Sequence, residues 1–416
     1  MLQGISRLDK AWRYLFILLP YALIYSIAVS NGIIISLLLL SLYEFFLQRK
    51  ESVMRMTELL FASLIFIVTL ISITYSSNQR VGLSIAETRL PLLFLPLLLA
   101  TKTITYDIRN IFIKHFIYSL LVTMGVTLCI AVYRNILGPG PDIWFNKWYY
   151  HYSDLTEPIN IDPLYLALFV SFGILILICD EITDYGEKIF QKKTYKRAVI
   201  FLLSFFLVLL GSRSIILILL GLTIVVVFSQ WQSLGLRKIA LIGLLLICIV
   251  SAAFLSPVTR ERFVGLFKAK YEFSQYSVDR FIIWTVAYHY VKEHPSEFVI
   301  GKGAGTSEGL MDSLYKKENI NWDFEKKSNT HNQYLEFALN TGIIGMTVLI
   351  VFLVASLMVF LKSQDRLAIV FILLIMLAMV SENYLNRQKG VVFFSMFYSL
   401  FWFVKPLRDV KKQDAC

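Results

Sequence analysis

Charge is scarce in this chain. Only 17% of its 416 residues are Asp, Glu, Lys or Arg, against 57% hydrophobic residues, and so little charge cannot cover the surface of a water-soluble globule of this size. Cysteine is scarce as well. Of the four, Cys129, Cys179 and Cys248 fall inside apolar runs and Cys416 is the last residue, which excludes a disulfide framework and a Cys-type zinc site. The sequence has no Asp-x-Asp and no clustered histidines, so no divalent-metal site is expected. It also lacks a Gly-x4-Gly-Lys-Ser/Thr loop. Gly301-Lys302-Gly303-Ala304-Gly305-Thr306 has the wrong spacing to cradle a nucleotide and reads as a pliant turn.

What the chain does have is long apolar runs. Twelve candidate spans are expected at about 12–29, 32–47, 58–75, 83–100, 111–133, 162–179, 197–211, 213–229, 238–256, 342–361, 366–382 and 391–405, each near the length that a membrane core of roughly 30 Å demands. The fold class is therefore an all-α integral membrane protein. The first run follows Lys10 and Arg13 as a signal peptide would, but Ser30-Asn31-Gly32 leads straight into a second run, so it reads as an uncleaved span.

The net charge of +11 is spread between spans, not gathered on one soluble module, and reads as topology instead of nucleic-acid binding. One set of connections and ends carries Lys10, Arg13, Arg49, Lys50, Lys102, Arg109, Lys192, Lys193, Arg237, Lys362 and Lys411, while the short connections of the other set hold only Arg80, Arg134, Lys147, Arg387 and Lys389. By the positive-inside rule both termini are cytoplasmic. Three regions follow: spans one to nine in 1–256, a long extracytoplasmic loop in 257–341, and spans ten to twelve with a tail in 342–416. The long loop is too long for a mere turn. Within it Asp279 can cap a helix whose apolar face is Phe281, Trp284, Tyr288 and Val291, ending at Pro295. The loop 134–161 is rich in Trp and Tyr, which serve either as an interfacial belt or as a glycan-stacking surface.

Several charged residues sit where charge is expensive. Arg89, in a span kinked by Pro91 and Pro96, needs a partner on another span or an anionic ligand. Arg213 lies in the turn Gly211-Ser212-Arg213-Ser214 between two short apolar runs. Its planar fork suits phosphate oxygens, although snorkelling to lipid headgroups would also satisfy it. Arg280 opens the loop helix against the dipole preference. Where the loop returns to the membrane stands His331-Asn332, followed by Gly342 and Gly345. Imidazole can exchange a proton near neutrality, glycines admit close approach of another backbone, and the alternative is a capping histidine beside a packed helix start.

His-Asn, nine residues, Gly, two residues, Gly resembles the signature of the O-antigen ligase and polymerase superfamily of membrane glycan transferases. Arg213, Arg280, Pro295 and the glycines at 301, 303 and 305 occupy the places of that family's basic and glycine-rich segments, so the resemblance covers roughly residues 197–400. It implies a glycosyltransferase of the bacterial inner membrane that moves a glycan from undecaprenyl diphosphate to lipid A–core oligosaccharide on the periplasmic face, inverting and metal-independent, without cofactor. Arg213 and Arg280 would hold the diphosphate, His331 would act on the acceptor hydroxyl, and Asn332 and Glu336 would support His331. The same resemblance admits an O-antigen polymerase and, further off, a protein O-oligosaccharyltransferase. A twelve-span secondary transporter is the rival from another class, but no repeat of the first six spans in the last six is visible.

Overall fold

The computed structural model describes residues 7–47, 56–102, 104–137, 147–182, 189–230, 280–317 and 329–404, with Gly235 and Gly243. The expected ninth span apart from Gly243, together with Trp144 and Asp279, lies outside those residues. The chain is an all-α membrane protein, with no strand among the described residues. In order it forms α1 (Arg7–Tyr25), α2 (Ile27–Leu47), α3 (Met56–Ala62), α4 (Leu64–Ile73), α5 (Gln79–Arg89), α6 (Pro91–Ala100), α7 (Tyr106–Leu137), a short α8 (Tyr152–Thr156), α9 (Pro163–Ile182), α10 (Lys193–Leu210), α11 (Arg213–Phe228), α12 (Arg280–Glu293), α13 (Pro295–Ile300), α14 (Ser307–Lys317), α15 (Gln333–Ser363), α16 (Arg366–Ala378) and α17 (Gln388–Phe403).

Among the described residues, five stretches are long and apolar enough to cross a membrane, Ile27–Phe46, Gln79–Ala100, Tyr106–Leu137, Pro163–Ile182 and Gln333–Ser363, and α3 with α4 make a sixth if their 61° bend is one broken crossing. Of the other runs expected as spans, the ninth lies almost wholly outside the described residues and some form shorter helices. The 16 residues of α11 and the 13 of α16 extend only roughly 24 and 20 Å. The run expected to span 366–382 ends as a helix at Ala378, which leaves residues 379–387 in a loop.

Two helices are buried on nearly every side, α9 and α17. Their phenylalanines interlock with those of α7 and α16. Phe172 and Phe116 each meet Phe397 edge-on at 4.8 Å between ring centroids, and Phe169 stacks on Phe393 at 4.3 Å. Such edge and offset contacts fill the volume and add to apolar burial. At one end of the bundle, ion pairs tie helix termini together: Lys102 bridges Asp9 (2.9 Å) and Glu44 (2.6 Å), Arg109 forks onto Asp365 at 2.6 and 2.9 Å, and Lys196 meets Asp180 and Glu181. The opposite end carries α12–α14 and the start of α15.

That start is built around a break. Gly342 has φ 69° and ψ −175° inside α15, a conformation that only glycine adopts readily. The break frees the carbonyls of Leu339 and Asn340 from their helical partners, and the turn after α13 satisfies them: Lys302 N–H donates to Leu339 O (3.1 Å) and Gly303 N–H to Asn340 O (2.8 Å). This answers the requirement that buried backbone acceptors be paired. A Cβ at Gly342 would collide with Val299 O, and one at Gly301 with Gly342 N. The expected close backbone approach is therefore at Gly342. Gly345 instead faces the side chain of Thr341, whose hydroxyl bonds Phe337 O at 2.7 Å. The same turn docks on α4–α5 through Tyr75 OH to Ile300 O (2.9 Å) and Ser76 Oγ to Ala304 O (2.8 Å).

Gly342→Ala is expected to destabilise the protein by roughly 1–3 kcal/mol through backbone strain alone, more with the clash. Gly125→Ala, in the middle of α7 with open space around it, should raise stability by up to about 1 kcal/mol. Thermal melting in detergent gives both signs; equal Tm values for the two variants would mean that the break at Gly342 is not needed.

Candidate active site

His331 closes the loop that leads into α15. It is one of the few non-glycine residues with positive φ, at 45°, a left-handed conformation that costs an L-residue roughly 1–2 kcal/mol and is held here by local bonds. His331 N–H donates to Asn329 Oδ1 at 2.8 Å, and the preceding Thr330 O accepts the indole N–H of Trp284 from α12 at 3.0 Å. The His331 imidazole faces the loop 379–387. There its Nδ1 lies 3.0 Å from Glu382 Oε2. A carboxylate can only accept, so Nδ1 carries the proton and Nε2 is left as the basic nitrogen.

Glu382 is buried, while 29% of the His331 side chain and 32% of the Arg280 side chain are exposed. Arg280 Nη2 stands 3.7 Å from the same Oε2, and its Nη1 donates to Ser214 Oγ at 3.2 Å. Through Ser214, Arg280 is fastened to the first turn of α11, which Arg213 opens. The two-residue turn before it ends α10 on Gly211 in the left-handed conformation (φ 61°). One carboxylate thus gathers the histidine, the loop arginine and the arginine-bearing hairpin, which lie up to 118 positions apart in sequence when His331 is set against Arg213. Burial pushes the Glu382 carboxyl up. The hydrogen bond and charge of His331, the Asn383 N–H and the charge of Arg280 outweigh it and hold the carboxyl below its ordinary value. Asp162 and Arg387 (3.4 Å) border this cluster, with burial pushing the Asp162 carboxyl up.

The other residues singled out from sequence lie elsewhere in the network. Asn332 caps α15, its Oδ1 accepting from Tyr334 N–H (3.0 Å) and Leu335 N–H (3.1 Å). Glu336 does not touch His331. Its carboxylate accepts from Ser307 Oγ, Thr330 Oγ1 (3.0 Å), Asn340 Nδ2 (3.1 Å) and Asn383 Nδ2 (3.2 Å). Arg89, expected to face an anion or a neighbouring span, takes the second course. It is 4% exposed and donates to Leu385 O (3.1 Å), Thr69 Oγ1 (2.8 Å) and Asn386 Oδ1 (2.9 Å), with its guanidinium 4.8 Å over the Phe337 ring. The inward face of α12 is Ile283, Val286, Ala287 and Tyr290, packed on Met311, Leu314, Tyr315 and Leu339, with Trp284 and Val291 of the expected face half-buried against the same cluster; Tyr288 is turned outward, 61% exposed. Ile283, Val286, Ala287 and Tyr290 fit the same 3.6-residue period as Trp284, Tyr288 and Val291.

Glu382 was not among the residues expected to act. A signal for it did exist, since an ionisable side chain inside a run counted as membrane-spanning calls for a partner.

Because the folded Glu382 carboxyl sits below its ordinary value of 4.5, the stability it contributes is complete above that pH and is lost as pH falls through the folded value. The Tm gap between wild type and Glu382→Gln should therefore be widest above the ordinary carboxylate range and narrow as pH falls below it. A gap that ignores pH contradicts an ionised Glu382 in this cluster.

Residues 198–350 match the family model described as O-antigen ligase. The match contains Arg213, Arg280 and His331; Arg89 and Glu382 fall outside it. No curated protein matches the chain.

Proposed function

We propose, from the premise that residues 198–350 form a domain of the O-antigen ligase family, that the protein transfers a glycan from undecaprenyl diphosphate to a sugar hydroxyl of lipid A–core oligosaccharide. The observation that carries this reading is the sharing of Glu382 Oε2 by His331 and Arg280, which sets a base beside a cation fixed to the Arg213 turn. In the reaction the acceptor oxygen bonds to the anomeric carbon as the bond from that carbon to the diphosphate oxygen breaks. His331 Nε2 takes the hydroxyl proton, Glu382 stabilises the imidazolium that forms, and Arg280 with Arg213 meets the charge growing on the leaving diphosphate. Attack opposite the leaving group inverts the anomeric carbon. A glycan acceptor in place of lipid A–core would make the protein a polymerase by the same chemistry.

The test supplies purified protein with lipid-linked glycan and lipid A–core. A ladder on the core supports ligation, elongation of the lipid-linked glycan supports polymerisation, and no transfer to either removes the reading. On one folded preparation, His331→Ala should keep donor binding while single-turnover transfer falls by about 10²–10⁴-fold, the usual contribution of a positioned base. Arg280→Lys should restore little of what Arg280→Ala loses, since an ammonium cannot reproduce the fork. Substantial transfer by His331→Ala removes it as the base.

The reading also assigns twelve spans across a bacterial inner membrane, with both termini cytoplasmic and the 257–341 loop periplasmic. Reporter fusions at Lys193 and the C-terminus should then report cytoplasm, and one near Asn319 periplasm. A cytoplasmic signal at Asn319 would put the site on the wrong side for a periplasmic acceptor.

A further inference from the structure

The turn that bears Glu382 is held by two buried, oppositely charged side chains that do not touch the histidine. Arg89 takes its second half, through Leu385 O and Asn386 Oδ1. Glu336 takes its first half, through Asn383 Nδ2, and the same oxygen, Oε2, accepts from Thr330 Oγ1. Thr330 immediately precedes His331, and Asn383 immediately follows Glu382. Gln333 fastens the same segment, its Oε1 accepting Leu385 N–H at 2.7 Å and its backbone N–H reaching Met379 O at 2.8 Å. Tyr165 OH closes the ring on Asn383 O at 2.9 Å. Glu336 is 1% exposed and Arg89 4%, and each lies within the other's field.

Burying two charges is a poor route to stability, since their desolvation offsets most of the attraction. What they supply is register. Oε2 of one carboxylate fastens the residue before the histidine to the residue after its carboxylate partner, so a shift of either strand of this junction changes the Nδ1–Oε2 distance directly. The other oxygen, Oε1, accepts from Ser307 and Asn340, and Asn340 Oδ1 in turn accepts Thr306 and Ser307 N–H. The start of α14 is thereby tied to the same point.

We propose that Glu336 and Arg89 are positioning residues: Glu336 clamps the 382–387 turn against the Thr330–His331 turn, Arg89 anchors the second half of that turn to Thr69 of α4, and together they hold the His331–Glu382 pair in register for transfer. The proposal rests on the functional reading above. Glu336→Gln keeps the shape but leaves one acceptor oxygen in place of two, and should lower kcat by roughly 10- to 100-fold, the cost of an orienting partner, with donor KM little changed. Arg89→Lys should fall similarly, because an ammonium cannot fork onto Leu385 O and Asn386 together.

The deciding measurement is a double-mutant cycle with Glu382→Gln. If Glu336 acts through Glu382, the double variant should match Glu382→Gln alone to within about twofold. Losses that multiply, or a change carried by KM, overturn the clamp. Hydrogen exchange provides a reading without substrate: in Glu336→Gln, peptides covering 329–332 and 379–387 should exchange faster while 163–182 keeps its protection, and unchanged exchange at both overturns the clamp as well. Should Glu336→Gln fail to fold, Thr330→Val removes one hydroxyl from the same junction and is read identically. Absence of transfer by the wild type would fail the functional reading alone, leaving the exchange result to decide the clamp.

Discussion

Everything at the candidate site hangs on a carboxylate taken out of water. Glu382 is buried, and a buried carboxylate remains charged only when donors and positive charge replace its hydration. Here those are His331 Nδ1, Asn383 N–H and Arg280, and satisfying the carboxylate is what draws the three together. The histidine acquires a fixed tautomer with its other nitrogen basic, and the arginine acquires a fixed origin from which its exposed edge can meet an anion. The same requirement, met at one atom, sets both the acid–base and the electrostatic halves of the proposed chemistry.

The membrane explains why this arrangement needs such elaborate support. An apolar solvent gives broken helices no water to satisfy their carbonyls, so irregular backbone persists only where protein answers it. Breaks occur between α3 and α4 and at Gly342 within α15. At the last, the turn 301–303 supplies the missing donors. The site is built beside that break, at the end of the bundle where α12–α14 pack back onto α15. The ion pairs at the other end fasten helix termini without entering the chemistry.

Much of this was legible in the sequence. The apolar runs carry the all-α membrane class, the shortness of two of them marks the tight turn at Gly211-Ser212, and Arg213 stood out as a charge at that turn, whereas His331 and Arg280 were singled out mainly by the resemblance of their segments to the O-antigen ligase superfamily. Glu382 was hidden because it falls at the end of an apolar run, and only the structure reveals that the helix stops at Ala378. Arg89 and Glu336 were visible as charges but not as partners of one turn, since contacts across 296 residues for Arg89 and 47 for Glu336 leave no local pattern. On α12 the periodicity pointed to Trp284 and Val291, which do pack inward, but it could not exclude Tyr288, which is exposed.

The central claim is that His331, Glu382 and Arg280 form one site with the Arg213 turn, and it is tested most directly by a structure of the protein in lipid bearing an undecaprenyl diphosphate–glycan donor. The account predicts the diphosphate against Arg280 and Arg213, and His331 Nδ1 still on Glu382 with Nε2 open toward the anomeric carbon. A diphosphate bound away from both arginines, or His331 turned from Glu382 with donor in place, would contradict it.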